Sequence, residues 1–225
     1  MRIETDQTSR IDCASDGAQE VIEFGPKVAL RGMRMRFERN EEIFGEDEPA
    51  EYIYRVVSGA VRTMRFSSDG RRQILGFQLP GDVFGLETGD THTLSAEAVS
   101  TSEIVLVRRS VLEKVAGEDM QAARALLALT SQHLLSAREH ALVLGRKGAG
   151  ERVAAFLLQL AERFVSRGEL DLPMSRADIA DYLGLTIETV SRAFSEMERQ
   201  CAIALPSSRH VIVCNRAALA ELKAA

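Results

Sequence analysis

Glu188, Ser191 and Arg192 fall within "LTIETVSRAF" at spacings that place them on one face if the segment is helical. Together they offer a carboxylate acceptor, a hydroxyl and a planar five-donor fork within roughly one and a half turns. Those groups match the edges of nucleic-acid bases. Arginine pairs bidentately with guanine O6 and N7, and glutamate accepts from cytosine N4. One helix set in a major groove would carry both contacts. The competing reading is an ion pair between Glu188 and Arg192, four residues apart on a solvated helix face.

The residues around them favour the first reading. "MSRADIADYLGLTIETVSRAFSEMERQ" (174–200) has the order helix, tight turn, helix. Ser175 with Asp178 three residues later is a helix-start signal. Ile179, Ala180 and Leu183 form the inner side of that helix, and Gly184 supplies the sharp turn. Thr186 is placed to cap the second helix, with Thr189 three residues on. The inward set of the second helix is expected to be Ile187, Val190, Phe194 and Met197. Arg192 lies about 200° round from Val190, on the open side with Ser195 and Arg199. "CAIALPSSRHVIVCN" (201–215) follows, two short apolar runs around a polar tip that carries Ser208 and Arg209. A wing of that kind suits phosphate contact. The expected phosphate-contacting set is Ser175, Arg176, Thr186, Thr189, Ser195, Arg199, Ser208 and Arg209.

Toward the N-terminus the pattern changes. Residues 17–30 read as a short helix. "MRMRF" (33–37) alternates apolar and basic residues, as a half-buried strand does. Residues 51–66 read as two strands joined at Ser58-Gly59. Residues 65–79 read as a hairpin whose Asp69-Gly70 supplies the positive φ its turn needs. A turn and short strand follow at "PGDVFGLE" (80–87), and further strands at 91–100 and 102–109. Six to eight short strands with frequent turns argue for an antiparallel barrel or double-sheet roll. From Ser110 onward the character is helical, and residues 119–144 contain neither Gly nor Pro. Met120, Ala123, Leu127, Thr130, Leu134, Ala137, Ala141 and Leu144 form a heptad stripe there, the pattern of a dimer seam. Packing of this helix on its own barrel is the alternative, and Leu126, Leu129 and Val143 lie beside the stripe to do that. "GRKGAGER" (145–152) reads as a hinge, with helix resuming over 152–168. The expected class is α+β. A β-roll unit with an N-terminal helix spans 1–118, a long dimerisation helix 119–144, and a winged helix-turn-helix 145–225.

Charge and composition limit the function classes. The chain has 225 residues, 45% of them apolar, and a net charge of −5. Residues 145–225 hold 11 Lys/Arg and 10 Asp/Glu, a balance of +1; the remainder holds 17 and 23, a balance of −6. Any attraction for DNA must therefore come from cations gathered on one face. No apolar run approaches the roughly 18 residues of a membrane helix. "MRIETDQTSR" lacks the apolar core of a signal peptide, so a cytoplasmic protein is expected. Cys13, Cys201 and Cys214 are odd in number and widely spaced, which suits reduced thiols.

The whole chain after about residue 20 resembles the CRP/FNR superfamily of bacterial transcription regulators: a barrel with the "PGDVFG" turn, a long helix and a winged helix-turn-helix. "LPMSRADIADYLGLTIETVSRAFSEME" is similar to the FixK branch, and Glu188, Ser191 and Arg192 resemble the FNR-type reading triplet. The resemblance implies a homodimer on double-stranded palindromic DNA of the form TTGA-N6-TCAA, with contacts to RNA polymerase that activate transcription.

The superfamily serves several signals on one scaffold, so each ligand is tested on residues. FNR holds an iron–sulfur cluster on N-terminal cysteines plus one in the barrel. Only Cys13 precedes residue 201 here, so four thiolates cannot be assembled. Members that bind cAMP place an Arg-Ser pair after the Gly-rich turn. The matching "GLETGDTHTLSAEA" (85–98) has His92-Thr93-Leu94 and no Arg. A buried phosphate there would lack a cationic partner. Haem ligation would rest on His92 alone. No cofactor is expected, and the alternative is a cyclic-nucleotide-dependent regulator of the CRP type. An enzymatic barrel of the cupin kind needs several His and a carboxylate, whereas the barrel has His92 only; neither G-x-S-x-G nor a P-loop occurs.

Overall fold

Alternating apolar residues build the N-terminal half into two facing antiparallel sheets. In the computed structural model, residues 19–23, 29–145, 148–163 and 168–224 are described. The first sheet comprises β1 (Gln19–Glu23), β2 (Ala29–Phe37), β4 (Tyr52–Ser58), β7 (Val83–Phe84) and β9 (Ser102–Arg108), in the order β1-β2-β9-β4-β7. The second comprises β3 (Glu42–Phe44), β5 (Val61–Phe66), β6 (Arg72–Gln78) and β8 (Ser95–Ala98), in the order β3-β8-β5-β6. Phe37, Phe44, Tyr54, Phe84 and Ile104 fill the space between the sheets. Gly70 takes a φ of 80° in the β5–β6 turn, the conformation that Asp69-Gly70 promised.

Among the described residues of 17–30 the expected helix is not formed. Gln19–Glu23 is a strand that pairs with β2 from Gln19↔Met33 to Glu23↔Ala29. The β-branched pair Val21-Ile22 favours that ladder, and Pro26 is unsuited to a helix interior. Cys13 and residues 24–28 lie outside the described residues. The short strand β3 was not foreseen.

Two helices close the roll. They are α1 (Arg109–Glu118) and α2 (Met120–Leu144), with the Asp119 side chain accepting from the Gln121 N–H at 2.8 Å at the start of α2. Ala122, Leu126 and Leu129 pack α2 onto the roll beside Leu30, Val105 and Leu112. After Gly145, α3 (Ala149–Arg163) begins three residues before the expected Arg152; Glu151 lies in its first turn, where an acidic side chain favours a helix start. Arg146, Lys147 and residues 164–167 lie outside the described residues.

The C-terminal unit adds β10 (Glu169–Asp171), α4 (Arg176–Leu183), α5 (Ile187–Arg199), β11 (Ile203–Ala204), β12 (His210–Val213) and α6 (Arg216–Ala224). Its small sheet has the order β10-β12-β11, and the β11–β12 pair is the expected wing. Strand β10 and helix α6 were not anticipated. Leu157, Leu170, Ile179, Val190, Phe194 and Leu219 form its core, which continues without a break into Met64, Ile74 and Phe77 of the roll. No helix among the described residues is long and apolar enough to cross a membrane.

Candidate nucleic-acid interface

Local capping fixes the two helices that carry the candidate residues. Ser175 and Asp178 form a reciprocal box at the start of α4. The Ser175 hydroxyl accepts from the Asp178 N–H at 3.1 Å, and Asp178 Oδ2 accepts from the Ser175 N–H at 3.0 Å. Gly184 ends α4 with φ 62° and ψ 43°, a left-handed cap that a residue with a Cβ adopts at a cost. Leu185 N–H donates back to Ala180 O at 3.0 Å, and Arg152 of α3 donates to Leu183 O at 2.9 Å. Thr186 caps α5, its hydroxyl accepting from the Thr189 N–H at 3.2 Å.

Val190, Phe194 and Met197 are buried beneath α5, as their spacing predicts. Ile187 is not; it is 48% exposed. It is the first helical residue after the cap, and side chains in a helix lean toward the N-terminus, so Ile187 projects past the end of the core.

The outer face of α5 presents Glu188, Ser191, Arg192, Ser195 and Arg199, all exposed. Ser191 Oγ donates to Ile187 O at 2.8 Å, which leaves its lone pairs for a donor. Arg199 is paired with Glu196, Nε to Oε2 at 2.9 Å. Arg192 makes no ion pair among the described residues, so the solvated Glu188–Arg192 bridge is not formed. The Glu188 carboxyl is held below its usual value by its own backbone N–H and by Thr186, with Arg192 adding a smaller attraction. The face therefore carries an ionised acceptor and an unpaired guanidinium side by side.

The expected phosphate-contacting residues are distributed unevenly. Ser208 and Arg209 are exposed at the wing tip, where Ser207 Oγ accepts from the His210 N–H at 3.0 Å and shapes the turn. Thr186 and Thr189 lie at the start of α5 with their hydroxyls 3.0 Å apart. Ser175 is half-buried, and its Oγ also donates to Asp178 Oδ2 at 2.7 Å. Arg176 is turned inward over the Phe194 ring, and burial lowers its pKa to about 10.

The candidate seam on α2 is largely uncovered. Met120, Leu127 and Leu134 are 68%, 67% and 51% exposed, Thr130, Ala137 and Ala141 are exposed, and Ala123 and Leu144 are half-buried. Leu135 and Leu142 extend the same apolar surface and were missed by a strict heptad count. Inside the roll, His92 is buried and stacked on Phe44 with ring centroids 3.7 Å apart, and its Nδ1 is 3.3 Å from Glu87 Oε2. Its Nε2 has no partner among the described residues. No group of three or more metal-ligating side chains occurs among them.

Two protein families match the chain: a Crp-like helix-turn-helix domain over residues 151–222 and a cyclic nucleotide-binding domain over residues 34–119. The nitrogen fixation regulation protein FixK of Azorhizobium caulinodans is 54% identical over 200 residues, which span 87% of this chain and 81% of that one. The transcriptional activatory protein AadR of Rhodopseudomonas palustris is 36% identical, over 86% of this chain and 84% of its own. The solved structure of FixK2 from Bradyrhizobium japonicum superposes with a TM-score of 0.84 at 53% identity, covering 87% of this chain and 99% of that one.

Proposed function

Since the chain belongs to the CRP/FNR superfamily of DNA-binding transcription regulators, in its FixK-like branch, we propose that it activates transcription as a homodimer on a TTGA-N6-TCAA-type palindrome. The observation that carries this reading is the outer face of α5, where Glu188 and Arg192 stand exposed and not ion-paired with each other, on a helix capped by Thr186 and joined to α4 through Gly184. Glu188, Ser191 and Arg192 read base edges. Wing-tip Ser208 and Arg209, with Thr186, Thr189, Ser195 and Arg199, contact the flanking phosphates.

The exposed stripe on α2 supports the dimer. Pairing two such helices about a two-fold axis buries Leu127, Leu134 and Ala141 and presents two α5 helices, as half-sites roughly 34 Å apart require. The name of the relative AadR supports the activating role, which entails contact with RNA polymerase.

The roll supports action without a cyclic nucleotide. Residues 85–98 hold no arginine for a cyclic phosphate, Glu87 stands there instead, and the His92 ring fills interior space against Phe44. These residues do not fit the ligand, and no step of the proposed function passes through it. Binding of ligand-free protein to the palindrome and to a scrambled duplex tests the reading. The expected preference is on the order of a thousandfold or more and is unchanged by cAMP or cGMP. A preference that appears only with a cyclic nucleotide would favour the ligand-gated alternative.

A further inference from the structure

Two arginines of the roll reach across to the first helix of the DNA-reading unit. Arg62 of β5 is 6% exposed. It donates through Nη1 to Asp178 Oδ1 at 3.1 Å, through Nη2 to Asn40 Oδ1 at 3.2 Å and through Nε to Glu97 Oε2 at 3.0 Å. Arg72 of β6 donates through Nη2 to Asp178 Oδ1 at 2.9 Å and through Nε to Asp181 Oδ2 at 2.8 Å. Gln73 Nε2 donates to Asp181 O at 2.7 Å. One helical turn is thus gripped by four hydrogen bonds from three residues of the β5–β6 hairpin. The long helix α2 grips the same turn: His140, buried, has Nε2 2.9 Å from Tyr182 O and Nδ1 3.2 Å from Leu75 O.

We infer that Arg62 and Arg72 are positioning residues for DNA reading: they hold α4 against the roll so that α5 is presented without a ligand. The inference rests on the proposal that α5 reads DNA. The mechanical link is short. Asp178 closes the capping box of α4, and α5 is bound to α4 through Gly184 and the shared core, so the pose of α4 sets that of α5. The helix α2, which carries the proposed seam, holds the other side of this junction, so the grip also fixes α5 relative to the dimer axis. There is an electrostatic effect too. Asp178 and Asp181 are the acidic residues of α4, and the two guanidiniums neutralise them, which weakens the negative field around the DNA-reading unit. The outer face of α5 stays uncovered throughout.

Arg72, with a side chain 24% exposed, is the residue to change, because Arg62 is needed by Glu97 inside the roll. Spin labels at Ser68→Cys and Glu221→Cys, in full-length protein with its native cysteines replaced by serine and diluted with unlabelled chain, report the spacing of roll and DNA-reading unit. The expected result for Arg72→Gln is a broadened distance distribution and roughly tenfold weaker binding to the palindrome, with an unchanged far-ultraviolet spectrum. Asp181→Asn should cost less on the Arg72→Gln background than alone, and Arg72→Lys should recover most of the affinity. A narrow distribution with affinity within about twofold of the parent overturns the inference, as does a loss of binding that follows only from unfolding. A parent protein that does not prefer the palindrome removes the DNA-reading proposal and this inference with it. A parent that does prefer it, beside an indifferent Arg72→Gln, removes the positioning role alone.

Discussion

The Arg176 guanidinium carbon lies 3.3 Å from the centroid of the Phe194 ring, so the first residue of α4 is stacked on the core residue of α5. A planar cation suits that position and a compact ammonium does not. Arg176→Lys should lose about 0.5–2 kcal/mol of folding stability, measured by urea denaturation. In Arg176→Gln, which removes the charge, the salt dependence of DNA binding should stay as it was. A slope lower by about one would instead make Arg176 a phosphate contact.

Asp178 gives an acid-dependent signature. Burial would raise its carboxyl, but the N–H and O–H of Ser175, aided by Arg62 and Arg72, outweigh burial and hold it below the usual carboxylate value. A lowered folded-state pKa means that the stabilisation is complete above the unfolded value, about 4, and is lost as pH falls through that value toward the folded one. Asp178→Asn should cost roughly 1–3 kcal/mol near neutrality, because it removes one of the two carboxylates paired with buried Arg62 and leaves Glu97. The gap between parent and variant should narrow as pH drops below about 4. A gap constant across that range would assign the effect to packing.

Much of the helix-turn-helix was legible because its signals are local. Ser175 with Asp178, Gly184, and Thr186 with Thr189 each act within a few residues, and each cap forms as read. The stripe on α2 was legible for the same reason, since one period governs the whole helix. Interactions between distant residues were not. Arg62 and Arg72 meet Asp178 across more than a hundred residues, and nothing in their own neighbourhoods marks them. Residues 17–30 were misread because a strand of five residues is decided by its ladder with β2 rather than by its own periodicity. Ile187 fits the inward spacing of α5, yet its position at the helix end overrides the period.

Leu134 tests the seam. It is 51% exposed on α2, and a two-fold pairing would set it near its own symmetry mate. Leu134→Glu should weaken dimerisation sharply in sedimentation, and DNA binding should fall with it. An unchanged dimer would move the interface off this face.

Arg209 should behave as a phosphate contact. Arg209→Ala is expected to weaken binding about equally on all duplexes and to lower the salt slope by roughly one. Selective loss on the palindrome would mean that the wing reads sequence.

The central claim is that the outer face of α5 reads bases, and Arg192 tests it most directly. Arg192→Ala should be titrated against the palindrome and against duplexes carrying each base in turn at the guanine position. The account predicts a loss of about 1–3 kcal/mol on the intact site and near-equal affinity for all four bases at that position. An equal loss on every duplex, with discrimination at the guanine retained, would contradict it.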